Sequence, residues 1–411
     1  MRHMIGRFLA GGMLTALLLA SVLHAQDFKI GSKVVQVHGF GTQGFIHTND
    51  NNWLTMNTSS VGSGAFTDFG LNMGMQINPN LRIAGQFYDR KLGKLGNWEP
   101  LMDWAMLDYH PKPWLGFRVG KVKTVLGLFT DTQDMDFANT FALMPQSVYP
   151  IDLRDSTIAH EGGDIYGKER LPRKLGTIAY TAYGGRRSDS MHSGYPYLLK
   201  SFGIQLTSLG GPVYGGDFRW KTPVRGLVVG VSRLNEQITA HGMSTIGPGG
   251  VSIVPTSYEE HSKHDWTNQY YGQYTANRWH TESEYRRYVR DQMIANGAVE
   301  SLVDVRGWYV SGGFRVCKWF EAGSYYSHYR NANALGINPN GTVATDFAKR
   351  DYDKVLAGKV TVNQYMTIKV EGHFMSGYAS QPYPNGFYST VNPNGFANNT
   401  NALVVRTGFS F

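Results

Sequence analysis

Hydrophobic and polar residues alternate along much of the chain, and the last eleven residues show the pattern most clearly. One face of residues 401–411 carries Leu403, Val405, Thr407, Phe409 and Phe411. The other face carries small or polar residues, among them Arg406 and Gly408. Because successive side chains of a β-strand point to opposite faces, this period of two predicts a strand with one apolar face. A soluble sheet and a barrel in lipid share the period, so these residues alone leave both open.

Stretches of the same kind recur along the chain, and polar, Gly-rich or Pro-rich segments separate them. The pattern predicts sixteen strands, at residues 33–48, 66–77, 81–90, 101–110, 115–124, 157–166, 177–186, 214–221, 227–239, 267–274, 278–290, 303–316, 320–330, 352–362, 365–378 and 401–411. Tight turns, such as that at residues 78–80, alternate strictly with long polar loops. This asymmetry is typical of a transmembrane β-barrel with short periplasmic turns and long external loops.

Two predicted strands carry so much charge on one face that this face must lie in water. In residues 278–290 the charged or titratable positions of one face are Arg278, His280, Glu282, Glu284, Arg286 and Arg290. In residues 365–374, Lys369 and Glu371 oppose apolar residues such as Val370. A charge that faces lipid costs roughly 2–4 kcal/mol. In a barrel these side chains are therefore predicted to line a wet lumen, whereas a soluble β-sandwich would place the same face outside.

The amino terminus has the pattern of an export signal. Arg2 and Arg7 precede an apolar run at residues 8–22, which a Leu-His-Ala cleavage site follows. The run is shorter than the roughly 20 residues of a membrane-spanning helix, which disfavours the alternative of a membrane anchor. The pattern predicts a cleaved signal peptide at residues 1–25 and a mature barrel domain at residues 26–411.

Composition agrees with export followed by barrel formation. Apolar residues make up 42% of the chain, while Gly (49), Tyr (24) and Phe (21) are plentiful. The single cysteine, Cys317, leaves no internal disulfide, so the strand ladder must supply the stability of the fold. Removing the two signal arginines takes the formal charge from +8 to +6 (8 minus 2). For an exported chain, this charge favours anionic solutes over nucleic acid as partners.

At this point the chain resembles the Gram-negative outer-membrane porins. The resemblance covers nearly the whole mature length and rests on the terminal Phe411, the alternation of short turns with long loops, and aromatic residues near predicted strand ends: Tyr109, Trp114, Trp220, Trp266, Trp279 and Trp319. It implies an all-β fold, a transmembrane antiparallel β-barrel of about sixteen strands in the outer-membrane lipid. It also implies a homotrimer that passes small hydrophilic solutes and ions by diffusion, with Phe411 read as a signal by the barrel-assembly machinery.

The resemblance also assigns a role to the long segment at residues 125–156, which is the third external loop. In porins this loop folds into the pore, and its acidic residues face basic residues on the wall. The acidic residues here are Asp131, Asp134 and Asp136, and the basic wall would be Arg82, Arg90, Lys121 and Lys123. Thr132 is predicted to cap a short helix that runs towards Leu143 and packs Phe137 and Phe141 against the wall.

Two other classes of protein stay open. One is an outer-membrane barrel enzyme, but no catalytic motif, cofactor site or metal site is predicted. His261 and His264 lie in a polar loop without a further ligand at a diagnostic spacing, and His160 to Asp164 lies where a strand should begin. The other class is a secreted soluble β-rich binding protein, which would leave Phe411 unexplained. The favoured prediction is a porin with a weak preference for anions.

Overall fold

The computed structural model describes residues 26–246, 252–300, 302–333, 345–379 and 384–411. The predicted signal peptide lies outside these ranges. Within them the chain forms one α-helix, α1 (Gly194–Ser201), and twenty-one strands: β1 (Gln26–Ile30), β2 (Lys33–Thr48), β3 (Ser63–Asn78), β4 (Leu81–Leu92), β5 (Leu101–Lys112), β6 (Leu115–Lys123), β7 (Ala159–Arg170), β8 (Thr177–Ser188), β9 (Ile204–Lys221), β10 (Leu227–Glu236), β11 (Thr239–Ile246), β12 (Ser252–Lys263), β13 (Asp265–Ala276), β14 (Trp279–Arg290), β15 (Gln292–Ala295), β16 (Ala298–Glu300), β17 (Val303–Arg315), β18 (Phe320–Asn331), β19 (Arg350–Asn363), β20 (Met366–Gly377) and β21 (Asn399–Ser410). No helix in the described ranges is long and apolar enough to cross a membrane.

Sixteen of these strands close into one barrel in which neighbours run antiparallel. The order around the barrel is β2 to β10, then β13, β14 and β17 to β21. β21 returns to pair with β2, with Ser410 opposite Phe40 and Ala402 opposite Thr48. The closed ring leaves no unpaired edge, which is the property that a spanning sheet needs. The prediction of a sixteen-stranded antiparallel barrel is confirmed.

The last residue takes part in this closure. The backbone N–H of Phe411 donates to the carbonyl of Gly39 at 2.9 Å, and the Gly39 N–H donates to the Phe411 carbonyl at 3.1 Å. The ring of Phe411 lies over Gly39, where a Cβ atom would come within 2.4 Å of it. Glycine at position 39 therefore makes room for the terminal ring.

The sequence pattern missed a side sheet at the long-loop end of the barrel. There the first half of β9 pairs with β11, and β12, β15 and β16 follow in order. The predicted strand 227–239 is therefore two strands, and the loop predicted around His261 is mostly β12. The segment between the predicted strands 177–186 and 214–221 contains α1 and the first half of β9. The buried face of these strands carries small or polar residues as well as apolar ones, for example Gly242 and Ser244 on β11 and Glu260 on β12, so a period of two in hydrophobicity does not reveal them.

The two faces of the barrel wall have opposite character. On β20, Lys369, Glu371 and His373 point inward and are fully buried, whereas Val370 and Phe374 point outward and are about half exposed. An apolar outer face around a polar interior is the arrangement of a barrel in lipid and the reverse of a soluble sandwich. The largest apolar cluster lies at the long-loop end, where Trp53, Leu143 and Phe387 pack together.

Candidate functional site

One long segment, residues 124–158, leaves the wall after β6, crosses the interior of the barrel and rejoins the wall at β7. We call it the inner segment. It is the third long loop after β2, and most of its side chains are buried. Its contacts with the wall define the narrow part of the interior.

The first contact is with β4, β5 and β6. The Arg154 guanidinium donates to both oxygens of Asp103, at 2.9 and 2.8 Å, and lies 3.6 Å from Asp134. Lys123 Nζ is 3.4 Å from the other oxygen of Asp134. The guanidinium also stacks on the ring of Tyr88, 3.7 Å from its centroid. Two cations and two carboxylates thus alternate where the inner segment meets this wall.

The neighbours keep these groups charged. Burial disfavours the charged form of Asp134, but Lys123 and Arg154 hold the pKa of this carboxyl below its usual 3.8. Burial likewise opposes charge on Arg154, but Asp103 raises the pKa of Arg154 well above its ordinary value. Asp134 and Arg154 are therefore ionised at neutral pH.

The second contact is with β20 and β21. Asp136 is 3.0 Å from Lys369 Nζ and 3.4 Å from an Arg406 nitrogen. Arg406 also contacts Asp68 on β3, at 2.6 Å, and donates to Thr42 on β2. Burial disfavours the carboxylate of Asp136, but the adjacent Lys369 and Arg406 lower its pKa below 3.8. This second charge cluster crosses the seam at which the barrel closes.

Two further carboxylates hold the backbone of the inner segment. Glu371 accepts from the N–H groups of Ala142 and Leu143, at 2.6 and 3.1 Å. Glu284 accepts from the N–H of Leu128 at 3.0 Å and from the hydroxyl of Tyr309 at 2.7 Å. The inner segment is thus attached at four places around the wall, so it forms a fixed partition across the interior.

A cavity lies on each side of this partition. The cavity at the short-turn end has a volume of about 360 Å³, and its lining includes His280, Glu282, Arg315, Glu321 and Lys359. The cavity at the long-loop end has a volume of about 90 Å³, and its lining includes Arg187, Arg286, Arg290, Glu236 and Tyr329. Both linings mix basic, acidic and aromatic groups, which suits polar solutes better than apolar ligands.

The structure separates the residues predicted for the constriction. Lys123 contacts Asp134 directly, whereas Lys121 lies on the outer face with Phe117 and Val119. The predicted pairing of Lys121 with Lys123 is therefore wrong, because Lys123 ends β6 and turns into the interior. Lys121 Nζ donates instead to a carbonyl of the neighbouring strand.

The other predicted constriction residues also have distinct places. Arg90 faces inward and pairs with Asp155 at 2.7 Å rather than with the three predicted acids. Arg82 shares its face but is exposed near the short turn. The backbone carbonyl of Asp131 accepts from Lys123. Asp134 meets the wall at β6, whereas Asp136 meets it at β20 and β21, so the predicted acidic residues do not face one basic wall.

The predicted lumen residues of β14 and β20 face the interior. His280 contacts Thr140 of the inner segment at 3.2 Å, and Arg286 donates to the Val148 carbonyl at 2.9 Å. Glu282 accepts from Ser311 on β17. Arg290 binds Asp265 at 3.0 Å, while Glu284, Lys369 and Glu371 hold the inner segment as described above. Arg278 precedes β14 and is exposed in the turn, so it does not extend the inward row.

The predicted helix from Thr132 to Leu143 is wrong, because only a 3-10 turn at Asp136–Ala138 forms there. Some backbone groups of this stretch form turn bonds, such as Met135 N–H to the Thr132 carbonyl, and others bond to wall side chains: Lys369 donates to the carbonyl of Phe141, for example. Phe141 packs on Tyr325, as expected of a wall contact, whereas Phe137 is half exposed in the cavity.

Sequence reasoning missed several members of the two charge clusters. Arg154, Asp103, Asp68 and Arg406 come from four distant parts of the chain. Arg406 gave a weak signal, as the charged residue on the polar face of the last strand. The others lie among residues with no distinctive spacing, so only the closed barrel shows that they meet.

The residues considered for chemistry are not brought together. His160 faces inward and contacts Thr124, whereas its neighbour Glu161 is exposed on the outer face. In the described part of the chain, no group of three or more His, Cys, Asp or Glu side chains is arranged to hold a metal ion.

Comparisons with known proteins identify the fold. No family model and no curated protein matches the sequence. Among solved structures, the outer membrane channel DcaP of Acinetobacter baumannii matches with a TM-score of 0.55 at 10% identity, over 95% of this chain and all of that one. The chain has the fold of the outer-membrane porins.

Two more structures show the same likeness. The anion-selective porin from Comamonas acidovorans matches with a TM-score of 0.53 at 11% identity, over 92% of this chain and all of its own. A trimer form of OmpT, an outer membrane protein of Vibrio cholerae, matches with a TM-score of 0.51 at 10% identity, over 93% of this chain and all of its own. At such identities the likeness concerns the fold, so function has to be argued from this chain's own residues.

Proposed function

We propose that this chain is an outer-membrane porin: a water-filled channel through which small hydrophilic solutes and ions diffuse, with a weak preference for anions. The observation that carries the proposal is the inner segment, which charge clusters hold across a polar interior between two cavities. Such a partition narrows a pore and surrounds the passage with fixed charges, which set the selectivity of a diffusion channel.

The distribution of charge supports the anion preference. Asp134 and Asp136 of the inner segment each lie within 4 Å of two cations, so their field is compensated. Lys359 and Arg286 instead donate to carbonyl oxygens, those of Phe137 and Val148. Cations that face the cavities with weaker compensation raise the local concentration of anions.

The surrounding assembly is part of the same proposal. Export by the signal peptide at residues 1–25 and recognition of Phe411 by the barrel-assembly machinery would place the long loops outside and the short turns in the periplasm. The trimer form of OmpT and the apolar outer wall support a homotrimer in lipid.

Reconstitution tests the channel directly. Purified, detergent-refolded protein added to a planar bilayer should give stepwise ion conductance, and the zero-current potential across a salt gradient should show a modest excess of anion flux. Boiled protein is the control. Folded protein, identified by faster migration on unheated than on boiled detergent gels, that inserts without conductance would contradict the proposal.

A further inference from the structure

The outer face of the barrel carries a row of arginines that the channel function does not use. Strand register places them directly opposite one another: Arg287 faces Arg306, Arg306 faces Arg330, and Arg330 faces Arg350. On the far side Asn268 lies between Arg287 and Arg233. We call Arg233, Arg287, Arg306, Arg330 and Arg350 the arginine row.

The arginine row follows the long-loop end of the barrel. Each member lies within three residues of the end of its strand on β10, β14, β17, β18 or β19. Neighbouring strands are about 4.8 Å apart, so the row and the intervening Asn268 extend over roughly 24 Å of the surface. If the long loops are external, as the proposed function has them, this is the external membrane interface.

The row is exposed and only partly neutralised. The side chains of Arg287, Arg306 and Arg330 are 39%, 46% and 44% exposed. Asp304 forms ion pairs with both Arg287 and Arg306, at 3.0 and 2.7 Å. Asp346 serves both Arg330 and Arg350, at 3.2 and 2.6 Å, and Arg233 bonds to the neutral side chains of Asn235 and Asn268. Five cations against two anions leave a net charge of +3.

Like charges directly opposite on neighbouring strands destabilise a sheet. Three consecutive arginine pairs therefore carry a cost that two aspartates do not remove, and an anionic ligand along the row would remove it. Guanidinium groups suit phosphate in particular, because they bind its oxygens in a bidentate manner.

Two residues further along each strand, towards the middle of the barrel, a second row of side chains indicates where the phosphate comes from. On the same outward faces, Tyr270, Tyr285, Trp308, His328 and Tyr352 form a second row in the same register. Trp308 stacks on His328, which stacks on Tyr352. Rings with an apolar body and a polar edge are enriched at the headgroup level of membranes. An arginine row above an aromatic row fits a lipid headgroup above its acyl chains.

The geometry points to a binding site for the phosphorylated headgroups of anionic lipids in the external leaflet, formed by the arginine row and the aromatic row beneath it. This inference rests on the membrane placement in the proposed function but not on conductance. A second copy of this chain is a poor occupant, because two rows of net charge +3 would repel each other.

The other half of the outer wall gives a comparison within the same molecule. There Lys121 lies opposite Glu161, and Glu161 lies opposite Arg186, so charges alternate. A surface of that kind neutralises itself and needs no lipid phosphate. It therefore provides matched control positions.

The test measures retention of diphosphorylated lipid A by the detergent-solubilised protein in native mass spectrometry. The variant is Arg233→Gln with Arg306→Gln and Arg330→Gln. These positions were chosen so that the ion pairs Asp304–Arg287 and Asp346–Arg350 remain. The control is Lys91→Gln with Lys121→Gln and Arg186→Gln. Lys91 lies on β4 opposite Thr67, one residue from the long-loop end of its strand, so the control removes the same charge from the other half. Each basic side chain near an anionic lipid contributes about fivefold, so the variant should bind on the order of 100-fold more weakly, while the control should bind as the wild type does.

Four outcomes would overturn the inference: equal lipid binding by the variant and the wild type, an equal loss in the control, displacement by inorganic phosphate at the same concentration, or a change of oligomeric state in the variant alone. If the Arg→Gln variant folds poorly, Arg→Lys changes at the same three positions are tested instead. These changes keep the charge, so they should retain most of the lipid binding. Conductance in a neutral bilayer should be unchanged in the variant. A wild type that binds lipid without conducting would refute the channel and leave the lipid site standing.

Discussion

Arg154 shows how much of the inner segment depends on single side chains. It lies 2.8 Å from Asp103 and 3.6 Å from both Asp134 and Asp155, and it is almost completely buried. A buried cation among carboxylates stabilises a structure only as part of the group, because removal of Arg154 leaves Asp103 buried without its cation, while Asp134 and Asp155 keep only Lys123 and Arg90. This residue therefore controls where the inner segment meets the wall.

Replacement of Arg154 by Met should lower the free energy of unfolding by about 3–5 kcal/mol, the usual cost of breaking a buried ion pair. It should also increase the noise of single-channel currents, because this end of the inner segment loses its attachment. Denaturant unfolding in detergent micelles measures the first effect and planar-bilayer recording measures the second. Arg315→Met, at an arginine that is 64% exposed, is the control and should cost less than about 1 kcal/mol; equal costs would contradict the role of Arg154.

The ionisation of Asp136 should make the free energy of unfolding depend on pH. Its pKa in the folded protein is lowered from 3.8, burial being outweighed by Lys369 and Arg406. A carboxyl with a lowered folded pKa stabilises the fold above its unfolded pKa and loses this contribution as pH falls through the folded pKa.

The difference in unfolding free energy between the wild type and Asp136→Asn should thus be constant from about pH 7 to pH 5 and shrink below about pH 4. Paired denaturation curves at each pH measure it. Asp50→Asn, in an exposed loop, should differ little from the wild type throughout. A difference for Asp136→Asn that grows towards acid pH would show that the sign has been assigned wrongly.

At the scale of an element, β19 presents two lysines to two different surroundings. Lys359 faces inward, lines the cavity at the short-turn end and donates to the Phe137 carbonyl. Lys354 faces outward between Tyr326 and Phe374. Strand alternation alone determines which of the two acts on a permeating ion.

Lys359→Glu changes the pore charge by two units, each worth roughly 0.6 kcal/mol for an ion some 7 Å away in water, and it acts on anions and cations in opposite senses. With salt screening included, the ratio of anion to cation permeability should fall on the order of tenfold. Lys354→Glu makes the same change of charge on the outer face of the same strand and should leave the ratio unchanged. Zero-current potentials in a tenfold salt gradient compare the two variants. Equal shifts would mean that selectivity follows total charge rather than charge in the pore.

At the scale of the whole molecule, one pair of strands closes the barrel. Phe411 and Gly39 exchange two backbone hydrogen bonds, and the ring of Phe411 occupies the space that a side chain at Gly39 would fill. The charge cluster of Asp68, Arg406 and Asp136 crosses the same seam inside the barrel. Closure thus depends on residues of the first and last wall strands, β2 and β21.

Deletion of Phe411 should reduce the yield of assembled protein in the outer membrane far more than Lys359→Glu does, because the deletion affects the terminal strand. The heat-modifiable fraction on detergent gels, measured in membranes from cells that express each variant, gives the yield. Gly39→Val, which clashes with the ring, should show an intermediate loss. Normal assembly of the deletion variant would mean that Phe411 is not the assembly signal.

The sequence by itself determined the barrel, because a period of two is a local property that every wall strand repeats. The polar face of β20 and the apolar face of β21 could be recognised from residues that are neighbours in the chain. The number of wall strands followed in the same way, since tight turns separate them. The side sheet was missed because small or polar residues such as Gly242, Ser244 and Glu260 occupy much of its buried face.

Only the tertiary structure decided which charges meet. Arg154 and Asp103 are 51 residues apart, and Arg406 and Asp68 are 338 residues apart, so no spacing in the sequence marks them as partners. The same holds for the inner segment: its backbone N–H groups donate to the carboxylates of Glu371 and Glu284 on the wall, and the predicted helix does not form. The arginine row likewise depends on the register between strands, which closure of the barrel fixes and which no single strand contains.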